Sequence, residues 1–203
     1  MKKIAAAVSM ALIAGAAGAS GITVQTGSGF ESDLADAAAY RSDVSALVGA
    51  PATLASFDNA QFSLSNAAFQ ATITFDVGTP TTFDFRAGVD LGGGALFLDG
   101  NALDSRGTDM WWGGSYSDAS QFLAGSSTTA LGVGVHTLTL YGFENCCSGN
   151  MQVQYSTDGG ANFTSFSATD GLPAVPEAQS FAMLLAGLGL VATLARRRSN
   201  KQA

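Results

Sequence analysis

Phe69-Gln70-Ala71-Thr72-Ile73-Thr74-Phe75-Asp76-Val77 alternates apolar and polar residues without a break. A period of two is the pattern of a strand buried on one face, because successive side chains point to opposite sides of the pleat. The alternation resumes in Phe83, Phe85, Ala87 and Val89, with Gly78 to Pro80 marking the turn between. Ala95-Leu96-Phe97-Leu98 is a short continuous apolar strand ending in Asp99-Gly100, a strong dipeptide signal for a tight hairpin. Further strand-like runs cover 135–143, 151–155 and 163–166. Short strands at this spacing, separated by Gly and Ser, predict a mainly β chain folded as an antiparallel β-sandwich or jelly roll.

Upstream of the strands, Leu34, Ala37, Ala38, Arg41, Val44, Leu47 and Val48 recur near a 3.6-residue period. They predict one amphipathic helix over 31–48 lying on a sheet, with Ser28 to Glu31 as its capping box and Gly49 and Pro51 as its stops.

The two ends of the chain read as addresses. Lys2 and Lys3 precede an apolar segment from Ile4 to Ala17, and Ala17-Gly18-Ala19 offers a small-x-small cleavage site, so 1–19 is expected to be a secretory signal peptide. Residues 20–169 then form one β-sandwich domain, and 170–175, with Gly171 and Pro173, a linker. Beyond it stand Val175, Pro176 and Glu177, then an apolar run from Phe181 to Leu194, then Arg196, Arg197 and Arg198. A helix from Ser180 to Leu194 at ~1.5 Å per residue covers ~22 Å, so it reaches across a ~30 Å hydrocarbon core only with help from its flanks. Snorkelling arginines supply that help and mark the cytoplasmic side.

This tail, 176–203, resembles the PEP-CTERM sorting signal of Gram-negative bacteria. Pro176-Glu177 matches the first two motif positions, Ala178 stands where the family usually has proline, and the apolar run and arginines follow in order. The resemblance implies export through the Sec machinery, transit as a C-terminal transmembrane helix in the inner membrane, and processing by an exosortase on the way to the cell surface. Hydropathy alone also accommodates a plain single-span anchor with no processing.

Of the 16 carboxylates only Glu177 lies outside 20–170, against Arg41, Arg86 and Arg106 there, so the domain is near −12. No basic stripe exists to neutralise phosphates, which argues against nucleic acid as a partner. Acidity of this kind keeps an extracellular protein soluble and also offers oxygen ligands to calcium.

Val89-Asp90-Leu91, the strand ending in Asp99-Gly100, and Gly134-Val135-His136 leading into a paired strand together resemble the protective-antigen-type β-sandwich, including the yeast adhesin lectins. In sugar-binding members an Asp-Asp pair holds calcium, which in turn holds sugar hydroxyls; here Leu91 follows Asp90. Asp90 and Asp99 are the calcium candidates this resemblance and the acidic loops leave. Trp111-Trp112, in a Gly-rich loop expected near the Asp99-Gly100 hairpin, provides aromatic faces for a sugar, with Asp109 and Tyr116 beside them, although on a strand one of two adjacent tryptophans would face the core by alternation.

Cys146 and Cys147 are the only two cysteines. Export favours their oxidation, either to each other as a strained vicinal ring or to another chain, with a metal or redox role as the third reading. Cys146-Cys147-Ser148-Gly149 fits the C-C-x-G pattern of a subgroup of sorting-signal proteins. Ser156 to Phe163 is similar to the Asp-box hairpin of sialidase-like propellers, but one copy makes a hairpin and not a propeller.

Enzyme chemistry finds little to stand on. There is no G-x-S-x-G elbow, H-E-x-x-H pair or Walker loop, and His136 at a strand start reads as structural. A glycosidase dyad drawn from Asp90, Asp99, Asp109 and Glu144 is the one open route. The expectation is therefore an exported, non-catalytic, carbohydrate-contacting module associated with extracellular polysaccharide. The alternatives are a structural biofilm matrix protein without a ligand site and, behind it, a glycoside hydrolase.

Overall fold

The computed structural model describes residues 20–172. The expected signal peptide, half of the linker (173–175), the expected transmembrane helix and the sorting tail lie outside them. Among the described residues no helix is long and apolar enough to cross a membrane.

Two antiparallel sheets enclose the core. The first contains β1 (Ser20–Ser28), β2 (Ala52–Leu54), β4 (Ala67–Val77), β6 (Gly93–Leu98), β7 (Asn101–Arg106) and β9 (Gly134–Glu144), in the order β2-β1-β4-β9-β6-β7. The second runs β11-β10-β5-β8, with β5 (Asp84–Gly88), β8 (Phe122–Ser126), β10 (Ser148–Ser156) and β11 (Thr164–Ser165). Its fifth strand, β3 (Ala60–Ser63), pairs with the start of β10.

The alternating stretch that predicted a strand is β4. Its Phe69, Ala71, Ile73, Phe75 and Val77 are all buried, and it pairs over eleven positions with β9, from Ala67↔Glu144 to Val77↔Gly134. Phe75 meets Phe85 from the facing sheet at 6.0 Å and Phe166 at 5.6 Å, so both inner faces contribute to one aromatic core. Gly78 to Pro80 does not fold β4 back on β5; the chain there passes from one sheet to the other.

Asp99-Gly100 does make the β6–β7 hairpin, with φ of 49° and 78° at the two positions. The hairpin expected from the Asp-box-like segment is also present, joining β10 to β11 through Gly159 and Gly160, both at positive φ.

The helix α1 spans Ala37–Leu47, shorter than 31–48. Ser28 is the last residue of β1, paired with Ala67, so it cannot cap a helix; Asp36 caps instead, accepting from Ala39 N at 2.9 Å. Ala37, Tyr40 and Val44 pack against Ala68, Ala95, Phe97 and Phe143 on the outer face of the first sheet. β1 itself escaped the periodicity reading, because Ile22 and Val24 follow directly on the apolar leader and their alternation merges with it.

Candidate functional site

The end of the sandwich where β6 begins collects most of the chemistry. An antiparallel bridge joins Leu91 to Met110, with Leu91 N to Met110 O at 3.0 Å and the reverse bond at 2.8 Å. Both side chains are buried, and the bridge draws the neighbouring Asp90, Asp109 and Trp111 to one end. β9 arrives at the same place, since Gly92 N donates to Phe143 O at 2.8 Å. Leu138, Leu140, Gly142 and Glu144 share the inward phase of β9, so the strand turns a carboxylate into the end of the core.

Glu144 is 6% exposed. Its Oε1 accepts the Cys146 N–H at 2.9 Å, while Oε2 is buried without a partner. Burial raises its pKa, the Cys146 N–H opposes that, and the charges of Asp90 and Asp109 raise it further. The half-buried Asp90 is also raised, by burial first and by Asp109 second. Asp90, Asp109 and Glu144 therefore carry like charges close enough to interact, with no cation among the causes of the Asp90 and Glu144 shifts. Asp90 also packs against Gly149, where any Cβ would overlap its carboxylate. Cys146 and Cys147 are joined to each other at the exposed rim, with Cys147 at φ 84°.

The two tryptophans part company. Trp111 is 67% exposed, whereas Trp112 is 5% exposed and lies over Gly88, where a Cβ would collide with its ring. Trp112 packs against the Tyr116 ring, with centroids 4.4 Å apart and planes tilted by 50°, and donates to Asn59 Oδ1 at 3.4 Å. Tyr116 donates to Gln152 O at 2.8 Å and accepts from Gly88 N at 3.4 Å; burial drives its pKa far up. These two rings anchor the 107–118 loop to the second sheet, so of the two tryptophans only Trp111 is presented to solvent.

Asp99 is elsewhere. It follows β6 where Asp90 precedes it, and the six residues of β6 at ~3.3 Å each put ~20 Å between them. Asp99 Oδ2 meets His136 Nδ1 at 2.7 Å, and Oδ1 accepts the Thr137 N–H at 2.8 Å. His136 Nε2 faces Gly132 O at 2.9 Å. The carboxylate thus ties the hairpin to the start of β9 and orients the histidine. The tryptophan loop is consequently at the Asp90 end of the sandwich, not beside the Asp99-Gly100 hairpin as its sequence position implied.

Among the described residues no three His, Cys, Asp or Glu side chains converge closely enough to hold a metal ion by themselves. A hard cation at Asp90, Asp109 and Glu144 needs further oxygens from backbone, water or a ligand, as calcium sites commonly use. Of the carboxylates in question, Glu144 leaves one buried oxygen unpartnered, whereas Asp99 has both oxygens engaged and is not available as a ligand. Glu144 was absent from the expected ligands, although the phase running from Leu138 through Leu140 marks it as an inward carboxylate.

The comparisons with known proteins divide the chain in two. Residues 174–199 are a PEP-CTERM protein-sorting motif. That motif makes the chain an exported, surface-directed protein, and it covers only the tail. A search of curated proteins finds no match. The folded part is similar to the PA14 sugar-binding domain of an RTX adhesin, at 13% identity and TM-score 0.53, over 77% of this chain and 98% of that one. It is also similar to the PA14 domain of the MpAFP antifreeze protein, at 13% identity and TM-score 0.51, over 76% and 90%. An anti-sigma factor domain-containing protein matches at 9% identity and TM-score 0.51, over 80% of this chain and 50% of that one. Identities this low establish a shared β-sandwich fold; the differing names of its bearers leave ligands to the residues of each.

Proposed function

We propose that this PEP-CTERM-tagged chain is a non-catalytic carbohydrate-contacting module whose ligand end comprises Trp111, Asp109, Asp90 and Glu144, with calcium completing the site. The observation that carries the reading is that the Leu91–Met110 bridge fixes the exposed Trp111 at the same end of the sandwich as carboxylates that repel one another and leave one buried oxygen unpartnered. A flat ring stacks on the apolar face of a sugar, and carboxylates accept its hydroxyls. Calcium, when bound, neutralises the cluster and presents open positions to neighbouring hydroxyls. The likeness to a PA14 domain described as sugar-binding supports the same class of ligand. His136 is engaged on both ring nitrogens, by Asp99 and by the Gly132 carbonyl, which supports a structural role for it.

The sorting motif extends the reading to the cell. The chain leaves through the Sec machinery, pauses in the inner membrane of a Gram-negative bacterium, is processed by an exosortase, and meets extracellular polysaccharide outside.

Binding to a glycan array and to purified exopolysaccharide tests the proposal. Trp111→Ala is expected to abolish retention without changing the circular dichroism spectrum, and a chelator is expected to do the same until calcium, but not magnesium, is restored. Wild-type protein that retains no glycan under any of these conditions, yet still accumulates in the matrix, would favour a structural matrix role instead.

A further inference from the structure

The outer face of the second sheet carries a concavity that the Trp111 end does not use. Along β5, Phe85 and Ala87 enter the core while Asp84, Arg86 and Gly88 take the outward phase. The register sets Gln154 and Ala124 on either side of Arg86, Ser156 and Ser126 beside Asp84, and Gln152 and Phe122 beside Gly88. Trp112 and Tyr116 cover the Gly88 row, and the turn through Gly159, Gly160 and Phe163 borders the Asp84 row. Between them lies an open cleft of about 460 Å³.

Arg86 is the cation of this cleft. Its guanidinium carbon is 3.8 Å from the Tyr116 ring centre and 3.7 Å from that of Phe163, and its Nε donates to Gln154 Oε1 at 2.7 Å. The side chain is therefore fixed on both faces and at Nε, with the Tyr116 hydroxyl also interacting with the guanidinium, and the remaining N–H groups of the η edge are what a ligand can use. Among the described residues the one ion pair joins His136 to Asp99, so no carboxylate among them is paired with Arg86. Asp84 faces the same cleft, with Oδ1 accepting from Ser126 Oγ.

We propose that this cleft is a second saccharide site, selective for a sugar that carries a carboxylate, a uronate. The Arg86 fork pairs with the sugar carboxylate through two parallel N–H···O bonds, and Asp84 accepts neighbouring hydroxyls. A sugar without the carboxylate forfeits the ion pair. A doubly charged phosphate meets Asp84 across the cleft, so a monoanion with hydroxyl donors beside it is the better match. The domain's other two arginines, Arg41 and Arg106, do not border this cleft, so within it Arg86 is the point of attachment for an otherwise repelled polyanion. The Trp111 end and its calcium play no part, so the two sites succeed or fail separately.

The test is calorimetric titration of the full-length chain with oligogalacturonate and with its methyl ester, in the presence of a chelator so that calcium bridges nothing. The acid is expected to bind about ten- to hundredfold more tightly than the ester, as a charge-assisted pair implies, and to weaken with added salt. Arg86→Gln should remove the preference. Because Arg86 also holds two rings, Ala124→Glu is the decisive variant: this exposed position lies directly across from Arg86, and a glutamate there supplies an internal carboxylate. It should abolish uronate binding with the melting temperature unchanged. Equal affinity for acid and ester, no binding of either, or full binding by Ala124→Glu would each overturn the assignment.

Discussion

Replacing Trp112 by alanine should destabilise the domain severely, while the same change at its neighbour Trp111 should barely register. A tryptophan buries on the order of 200 Å² when enclosed, and at ~25 cal/mol per Å² that is ~5 kcal/mol. A compact denatured state lowers the figure by a tenth to two-fifths, which leaves ~3–5 kcal/mol, the range seen for aromatic-to-alanine changes in cores. Trp112 is 5% exposed, pressed on Gly88 and Tyr116, so nearly the whole amount applies. With an unfolding entropy of ~2.1 cal/mol/K per residue, a domain of ~150 residues loses roughly 10–16 °C of melting temperature. Trp111, at 67% exposure, should change stability by no more than ~0.5 kcal/mol. Thermal and urea unfolding of both variants, followed by circular dichroism, provide the measurement. Comparable losses at the two positions, or a Trp112→Ala protein as stable as wild type, would refute the division of roles between the rings.

The remaining predictions concern charge and processing. Calcium at millimolar concentration should raise the melting temperature by mass action; Asp90→Asn should remove the shift and Asp99→Asn should leave it, read by differential scanning calorimetry with magnesium as control. Glu144→Gln keeps the oxygen that accepts the Cys146 N–H and deletes a buried charge. Since the Glu144 pKa is raised on folding, its charge opposes stability as pH rises past the ordinary glutamate value, so the variant should melt higher than wild type at pH 7 without calcium and lose the calcium response. At His136 burial lowers the pKa, but the Asp99 hydrogen bond, the Gly132 carbonyl and the charges of Asp99 and Asp76 outweigh it and raise the value overall. The stabilisation is then full below the ordinary histidine pKa and lost as pH rises through the elevated one, a dependence that Asp99→Asn should flatten in melts from pH 5 to 9. Finally, the mature surface protein should lack both 1–19 and the segment from near Pro176, and replacing Pro176 and Glu177 by alanine should leave a chain whose intact mass still includes Arg196 to Ala203.

Local pattern alone determined a good deal of this protein. Period-two alternation is a property of one strand and one buried face, so β4, β5, β9 and β10 were readable from Phe69, Phe83 and their successors, and Asp99-Gly100 specified its own hairpin because both residues tolerate positive φ. The tail was legible for a similar reason: a sorting motif is read as a linear segment and does not depend on how the domain folds. The partners of those segments were another matter. Trp111 and Trp112 are interchangeable in the sequence, and only the Leu91–Met110 bridge, which buries Met110, fixes the phase that turns Trp112 inward and Trp111 outward. Asp90 and Asp99 flank the one strand that the sequence also predicts, yet its length carries them to opposite ends of the sandwich, so they do not form one calcium site. Glu144 joins Asp90 and Asp109 from 54 and 35 positions away because β9 lies beside β6 in the sheet, and Arg86 is caged by Tyr116 and Phe163 because β5 lies between β8 and β10. Strand order and register are non-local; they depend on which faces pack together, and the charged and aromatic clusters follow from that packing.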